Sequence, residues 1–346
     1  MTTLTTRALN RALLARQMLL AREPIDPLTA IERLAGMQAQ LARPPFFGLH
    51  TRLDGFRREQ LLELIHSRKV VRATMMRGTI HLVSTADYIA FRGTLQPLLT
   101  GAVRTIAKAH KAEINEDDIA VIAGRLFTLR PQTFEEFREA LVAERPGIND
   151  RAAGYVARMV IPLVMAADET DFGYGPSVFT TAEAWLGRPI DMEDRSEQIV
   201  LRYLAAFGPA SVRDAQSWSG MTKLAAAFEK LRPRLVAFRD EKKRELFDLP
   251  DAPRPSEDTP APVRLLPAYD NIVLAHADRT RILPEEHRPL IATKNLLIPP
   301  TILVDGFVAG TWQMERNKIS ITPFGRISRQ LQSQLKEEAA RLEALA

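Results

Sequence analysis

The chain has 346 residues, 46% of them hydrophobic, which is enough to bury real cores in two to four compact units. It has no cysteine, which excludes disulfides, thiolate nucleophiles and cysteine-held metal centres, and its six histidines form no pair with metal-ligand spacing. No run reaches the roughly 18 apolar residues of a membrane span, so we expect a cytoplasmic protein without a membrane partner or a metal. The net charge of +5 is compatible with a nucleic-acid partner but does not require one.

The first group of predicted elements covers about residues 7–83. Helices are predicted for RALNRALLARQMLL, for PLTAIERLAGMQAQ after an Asp26-Pro27 cap, and for RREQLLELIHS. The runs KVVRATMM and TIHLV predict two strands that pair across Arg77-Gly78. Ser84, with Asp87 three residues later, predicts the start of a connecting helix in TADYIAFRGTLQPLL. Three helices followed by a hairpin are typical of a winged helix.

The same order of elements is predicted twice more. In 115–181, the helices DDIAVIAGRLF, TFEEFREALVAE and NDRAAGYVARMVIPLVMAA precede a glycine-containing hairpin, DFGYGPSVFTT. Thr133 and Glu136 form a capping box for the second of these helices, and Pro162 predicts a kink or an early end of the third. In 195–249, the helices RSEQIVLRYLAAFG, SVRDAQSWSG and TKLAAAFEKL precede two strands, RLVAF and ELFDL.

The composition changes after residue 250. DAPRPSEDTPAPV is rich in proline and acidic residues, which favours a stiff, solvated connector. Five strand-like runs follow (RLLPA, NIVLAH, TILV, FVAGTWQM and KISITPF), with turn signals at Asp305-Gly306 and Asn317-Lys318. The last segment, SRQLQSQLKEEAARLEALA, has apolar residues at helical spacing and is predicted to dock on these strands.

These elements predict an α+β fold that is mainly α, with three tandem winged-helix units, a C-terminal β-barrel-like domain and a terminal helix. The predicted parts are a first winged helix with its connecting helix (1–112), a second (113–190), a third (191–250), a proline-rich linker (251–262) and the β-rich domain with the C-terminal helix (263–346). Winged helices place a helix in the major groove and basic side chains on phosphates, which favours DNA as a partner. They also serve as protein-interaction modules.

Basic residues of the first and third units are candidates for contacts with DNA phosphates. They are Arg58, Arg68, Lys69 and Arg72 in the first unit, and Lys223, Arg232 and Arg234 in the third. Arg77 and His81 flank the first predicted turn, where they either follow phosphates or pack back on the unit.

A second set of candidates lies in YDNIVLAHADRTR, which is unusually rich in polar groups for a segment expected to contain a strand. It contains Asp270, His276, Asp278, Arg279 and Arg281. Two interpretations stay open. In the first, these side chains contact DNA, and the candidates for such contacts are His276, Arg279 and Arg281. In the second, they form a buried Asp–Arg network between domains.

Four segments, LAGMQAQLARPPFFGL, MRGTIHLVS, LPAYDNIVLAHADRTRIL and ILVDGFVAGTW, occur in this order along the chain. With them, the chain resembles the winged-helix DNA glycosylases of the AlkZ type, a bacterial family, over essentially its whole length. The resemblance implies a monofunctional, metal-free glycosylase of base excision repair that needs no cofactor. It implies removal of N7-alkylated purines from double-stranded DNA and unhooking of interstrand crosslinks, by a monomer associated with the nucleoid. The family's catalytic Gln–hydrophobic–Gln motif falls on Gln38 and Gln40, with Ala39 between them.

Two amides one residue apart place a demand on the backbone. In a continuous helix such residues point about 200° apart, whereas in extended backbone they share a face. We therefore expect the helix to end or distort between Met37 and Gln40, helped by Arg43, which precedes a proline and is pushed toward extended conformations. Glutamine does not titrate near neutrality, so the pair is expected to hold a water and stabilise a sugar cation.

Two other functions stay open. A winged-helix transcription regulator without enzymatic activity binds one DNA sequence and usually dimerises, and an inactive scaffold presents apolar recognition faces. Apart from the resemblance, Gln38 and Gln40 are ordinary polar residues at a helix end, because so short a motif is not specific. Strand breaks that depend on alkylation, after alkaline cleavage of abasic sites, distinguish a glycosylase from a regulator.

Overall fold

The computed structural model describes residues 1–110, 115–291 and 298–345. The chain folds into two compact units, the first made of Met1–Leu61, Ser196–Trp218 and Lys223–Ala346 and the second of Leu62–Arg195 and Ser219–Thr222. In the described ranges, no helix combines the length and the apolar character that crossing a membrane requires. The predicted boundary at residue 112 lies outside the described residues, and the other predicted boundaries subdivide these units and stay predictions.

The first unit contains most of the helices and two separate sheets. Its α-helices are Thr6–Arg16, Pro27–Arg33, Pro44–Arg52, Ser196–Phe207, Val212–Ser219, Ala225–Leu231, Arg288–Ile291 and Arg329–Glu343, and the helix Arg58–His66 begins in it and ends in the second unit. Its strands are Thr3–Leu4, Met37–Gln38, Val236–Asp240, Glu245–Asp248, Arg264–Leu266, Thr301–Val304, Phe307–Glu315 and Lys318–Pro323. Short 3-10 turns cover Arg232–Arg234, Asn271–Val273 and Glu285–His287.

The elements predicted between residues 196 and 248 are all present. Three helices are followed by an antiparallel pair of strands, Val236–Asp240 and Glu245–Asp248. The rings of Tyr203 and Trp218 pack 5.2 Å apart in the apolar centre of these helices. The sequence did not predict Thr3–Leu4, which pairs in parallel with the first of the two strands.

Four strands near the C-terminus form a second sheet. Their order is Arg264–Leu266, Thr301–Val304, Phe307–Glu315 and Lys318–Pro323, each antiparallel to the next. The sheet is open, so the predicted barrel-like closure is absent from the described residues. The helix Arg329–Glu343 docks on it as predicted, because its apolar side chains Leu335, Ala339 and Leu342 join the core around Leu265, Ile302 and Trp312.

The prediction of a strand in NIVLAH is wrong. Asn271–Val273 is a 3-10 turn, and the carboxylate of Asp270 caps it by accepting a hydrogen bond from the Ile272 backbone at 3.1 Å. A side chain that bonds its own backbone two residues on favours a turn over a sheet ladder.

The second unit is built on a five-stranded antiparallel arrangement. The strands lie in the order Ile80–Ser84, Val70–Thr74, Leu163–Met165, Val178–Thr181 and Gln132–Thr133. The α-helices are Thr85–Phe91, Gln96–His110, Glu116–Leu129, Phe134–Glu144, Asp150–Val160 and Ala182–Leu186, and a 3-10 turn covers Met76–Gly78.

Several sequence signals of the second unit are confirmed. Thr133 and Glu136 form the predicted capping box, and the Ser84 side chain accepts from the Asp87 backbone. The third helix ends at Val160, just before Pro162, as the proline predicted.

The single connecting helix predicted after Ser84 is wrong. It is two helices, Thr85–Phe91 and Gln96–His110, separated by a turn at Gly93. A Cβ at Gly93 would lie 2.1 Å from the carbonyl oxygen of Asp191, so the turn exists where another stretch of backbone packs against it.

Candidate active site

The helix before the two glutamines ends earlier than predicted. It begins at the Asp26 cap as expected, but its last residue is Arg33 and not Gln40. Ala35 (φ 55°) and Gly36 (φ 84°) then adopt left-handed backbone, and the Gly36 amide bonds back to the Ile31 carbonyl at 2.9 Å. Two successive left-handed residues cannot continue a right-handed helix, so the backbone gives way before the motif.

Residues 37–40, here called the glutamine segment, follow the turn that ends the helix, and the first two of them are extended. Met37–Gln38 is a short strand, Ala39 is fully buried, and Gln40 is partly exposed in the bend that follows. Gln38 keeps 8% of its surface exposed. Because the strand ends at Gln38 and Gln40 lies in a bend, the continuous helix that would point the two amides apart is absent, and a shared face for the two side chains stays a prediction.

The segment after Gln40 also differs from the prediction. Arg43 has helical backbone (φ −69°, ψ −41°) and Pro44 begins the helix Pro44–Arg52, where an extended break was expected. Proline is well suited to the first helical turn, and burial of Phe46 and Phe47 outweighs the weak preference of Arg43 for extended backbone.

Gln38 lines a small cleft in the first unit, here called the glutamine cleft. One wall is formed by residues around the glutamine segment and the other by residues that follow the strand Arg264–Leu266. The lining residues are Gln17, Leu34, Gly36, Met37, Gln38, Pro44, Pro45, Arg52, Pro267, Ala268, Tyr269, Asp270 and Asn271.

A buried ion pair forms part of the lining. Arg52 donates to both carboxylate oxygens of Asp270, at 2.8 and 2.9 Å, and the two side chains are 1% and 4% exposed. Arg52 also donates to the carbonyl oxygen of Gln17 at 3.1 Å. Asp270 is the only carboxylate among the described lining residues, and its charge is already matched by the bidentate guanidinium.

The two walls are joined directly. The Asn271 amide donates to the Gly36 carbonyl at 2.9 Å, two residues before Gln38. Asn271 is 6% exposed, and its side-chain amide oxygen, Oδ1, is buried without a hydrogen-bond partner in the described chain. Beside it, Tyr269 is partly exposed with left-handed backbone (φ 62°), which is costly for a bulky residue, and burial raises its pKa.

Sequence reasoning missed Arg52, Tyr269 and Asn271 as residues of this site. The string YDN directly after a predicted strand was the available signal for two of them. Of the segment's polar residues, the buried-network interpretation holds for Asp270, which pairs with Arg52. Asp278 binds Lys242 at 2.6 Å and Arg244 at 2.7 Å, but these two partners are exposed, so its ion pairs lie at the surface.

Several residues predicted to contact DNA are accessible. Arg68, Lys69, Lys223, Arg232 and Arg234 are exposed, and Arg58, Arg77 and Arg279 are partly exposed. Arg232 is held by Glu229 and Glu245, and Arg68 lies 4.1 Å over the Trp185 ring. Within the described ranges, Lys69, Lys223 and Arg234 form no ion pair. Their contact with DNA stays a prediction.

Four of the predicted DNA-contacting residues are buried, which removes them from that role. Arg72 lies 5.4 Å from the centre of the Tyr174 ring, and His81 bonds the Thr79 carbonyl at 3.0 Å. His276 bonds the Phe207 carbonyl at 3.0 Å, and Arg281 donates to the Pro209 carbonyl at 2.7 Å. Their polar groups serve the interior of their own unit, which residue type and spacing do not reveal.

In the described residues, no three His, Asp or Glu side chains lie close enough together to hold a metal ion.

A family model described as DNA glycosylase AlkZ-like matches residues 31–345. The chain is 23% identical, over 352 aligned positions, to an interstrand DNA cross-link repair glycosylase of Streptomyces sahachiroi, covering 94% of this chain and 92% of the relative.

The fold is also similar to a solved structure. It matches the DNA glycosylase AlkZ of Streptomyces sahachiroi with a TM-score of 0.79 and 19% identity, over 99% of this chain and 97% of that one. At this identity, the likeness is one of fold. Because the family model spans nearly the whole sequence, the chain belongs to the AlkZ-like DNA glycosylase family.

Proposed function

We propose that this protein is a monofunctional DNA glycosylase that removes N7-alkylated purines from double-stranded DNA, with Gln38 and Gln40 as its catalytic residues. Membership of the AlkZ-like family supports the glycosylase activity. The relative in Streptomyces sahachiroi is described as an interstrand cross-link repair glycosylase, and we extend that substrate class, with crosslink unhooking, to this chain.

The observation that carries the proposal is the charge of the glutamine cleft. Gln38 lines it, and its one carboxylate, Asp270, is bound by Arg52 on both oxygens. Such a site has no free acid to protonate a leaving purine. It therefore suits a substrate whose leaving group needs no proton, and an N7-alkylpurine already carries a positive charge.

The reaction follows from that charge. The bond between the sugar C1′ and the purine nitrogen breaks, its electron pair neutralises the departing base, and an oxocarbenium-like sugar develops. Water then bonds to C1′ and releases its proton to solvent, leaving an abasic site. The amide oxygens of Gln38 and Gln40 accept hydrogen bonds from that water and place negative dipole ends at the developing cation.

The helical groups and hairpins at 196–248 and in the second unit support the interpretation as winged helices, which bind duplex DNA through basic side chains. The sequence predicts phosphate contacts for Lys69, Lys223 and Arg234, and all three side chains are exposed. The sequence predicts three such units, which would allow one copy of the chain to bind duplex DNA without a second.

Release of 7-methylguanine from methylated duplex DNA tests the proposal. Gln38→Ala and Gln40→Ala should each slow release by about a hundredfold or more, because each removes a polar group preorganised for the transition state. Binding to undamaged duplex should be retained. Gln334→Ala, which removes an exposed glutamine of the C-terminal helix, is the matched control and should release base normally.

Near-normal release by both glutamine variants, with DNA binding intact, would remove the pair from catalysis. A wild-type protein that protects one DNA sequence and releases no base would instead be a regulator.

A further inference from the structure

A second cleft lies in the second unit, in a part of the chain from which no DNA-contacting residue was predicted. It lies between the helices Phe134–Glu144 and Asp150–Val160. Its lining, here called the arginine groove, consists of Phe134, Arg138, Arg151, Gly154, Tyr155 and Arg158.

The positive charges of the groove are largely unmatched. Arg151 is exposed and Arg158 partly buried, and neither forms an ion pair or hydrogen bond with any described residue. Arg138 has one distant acidic neighbour, the Asp150 carboxylate at 3.7 Å. Three guanidinium groups against one carboxylate leave the groove with net positive charge.

The floor of the groove holds one of these cations in place. The Arg158 guanidinium lies 4.5 Å from the centre of the Phe134 ring and 5.2 Å from that of Phe179. Cation–π contacts of this kind orient a guanidinium without neutralising it. Its Nε atom is buried without a hydrogen-bond partner among the described residues, so no protein acceptor matches this side of the cation.

The spacing of the groove favours a chain of charges over a single small anion. Arg151, Tyr155 and Arg158 follow at i, i+4 and i+7 on one helix face, and the arginines are therefore roughly 10 Å apart along the axis. Consecutive phosphates of one DNA strand lie about 7 Å apart through space, because each rises about 3.4 Å along the duplex axis and also turns around it, so the groove spans about two of them. Tyr155 between them is 51% exposed, and tyrosine hydroxyls are common donors to phosphate oxygens.

We propose that the arginine groove binds the sugar–phosphate backbone of the DNA substrate, with Arg151 and Arg138 on phosphates and Arg158 held ready by its aromatic floor. This inference rests on the proposed function, since it takes DNA as the ligand, and it adds a contact site that carries no sequence specificity.

Equilibrium binding of the full chain to an undamaged 25-bp duplex at several salt concentrations tests the groove. Each phosphate contact contributes about one to the slope of log affinity against log salt. Arg151→Gln should therefore lower the slope by about one and weaken binding several-fold, with a similar effect for Arg138→Gln. Arg151→Lys should recover most of the slope, because it keeps the charge.

The matched control is Arg125→Gln, which changes the net charge equally in the same unit. Arg125 is already held by Glu144, so its loss should leave the slope almost unchanged. The proposal for the arginine groove is contradicted if Arg151→Gln and Arg125→Gln have the same salt slope and the same affinity while the wild-type chain binds duplex. If the wild-type chain does not bind duplex at all, both the groove and the glycosylase proposal fail.

Discussion

The side-chain amide of Asn271 donates a 2.9 Å hydrogen bond to the carbonyl of Gly36, a residue 235 positions away in the sequence. The bond fixes the glutamine segment two residues before Gln38, and it is shielded from water because Asn271 is buried. The bond therefore ties the glutamine segment to the residues that follow the strand Arg264–Leu266.

Replacing Asn271 by alanine should therefore slow base release. The change leaves the Gly36 carbonyl without its donor, at a cost of about 1–3 kcal/mol, and frees the glutamine segment to move. Single-turnover release of 7-methylguanine should fall, while affinity for undamaged duplex should stay at the wild-type value, since Asn271 faces the protein. Normal release by Asn271→Ala would mean that the bond does not position Gln38.

Breaking the buried ion pair should be much more costly. Asp270→Asn removes the charge that matches Arg52, and stranding one member of a buried pair costs roughly 3–5 kcal/mol of unfolding free energy. Urea unfolding measures the loss. Glu229→Gln, which breaks an exposed pair with Arg232, is the control and should change stability little. Equal effects of the two substitutions would show that burial does not govern the Arg52–Asp270 pair.

A side chain at Gly36, the left-handed glycine before the motif, should destabilise the first unit. Gly36 has φ 84°, so Gly36→Ala should cost about 1–2 kcal/mol of unfolding free energy and lower base release, because relief of the strain shifts the glutamine segment. Gly101→Ala places the same methyl group in open space on a helix and should be neutral or slightly stabilising. Unchanged stability of Gly36→Ala would contradict the left-handed backbone at that residue.

Acid should destabilise the second unit through His81. Burial, with a smaller contribution from the Arg77 charge, lowers the pKa of His81 to about 3, whereas the unfolded chain has the ordinary value near 6.5. Between these values the unfolded state binds the extra proton, so stability is complete above about pH 6.5 and falls toward pH 3. One such histidine contributes about 1.4 kcal/mol per pH unit in that window.

Urea unfolding between pH 4 and 6.5 measures this slope. In His81→Gln, the dependence of unfolding free energy on pH should decrease by the equivalent of about one proton, whatever the effect of the substitution on stability at neutral pH. Gln334→Ala, which removes an exposed side chain that does not titrate, should leave the slope as in the wild-type chain. An unaltered slope in His81→Gln would place the acid sensitivity elsewhere.

Local signals in the sequence were reliable guides to the fold. The caps at Asp26, Ser84 and Thr133 and the helix end before Pro162 are where side-chain chemistry predicted them. These features depend on neighbours within four residues, so the sequence contains all the information they need.

The errors have two causes. The helix ends at Arg33 because Ala35 and Gly36 have left-handed backbone, which residue type does not predict for an alanine. The chain breaks at Gly93, where the Asp191 backbone packs against it, and that distant partner is not visible in a local window. The same limit applies to the site: Gln38 was found from a motif, whereas Arg52 and Asn271 acquire their roles only when the segment after residue 266 folds beside them.

The two walls of the glutamine cleft also determine when the site can exist during synthesis. Gln38 leaves the ribosome early, but its opposite wall, residues 267–271, follows more than 200 residues later. A nascent chain therefore carries both glutamines for most of its translation without the opposite wall of the cleft. The cleft closes only on a nearly finished protein, and a truncated chain lacking the last quarter would keep the motif and lose the cleft.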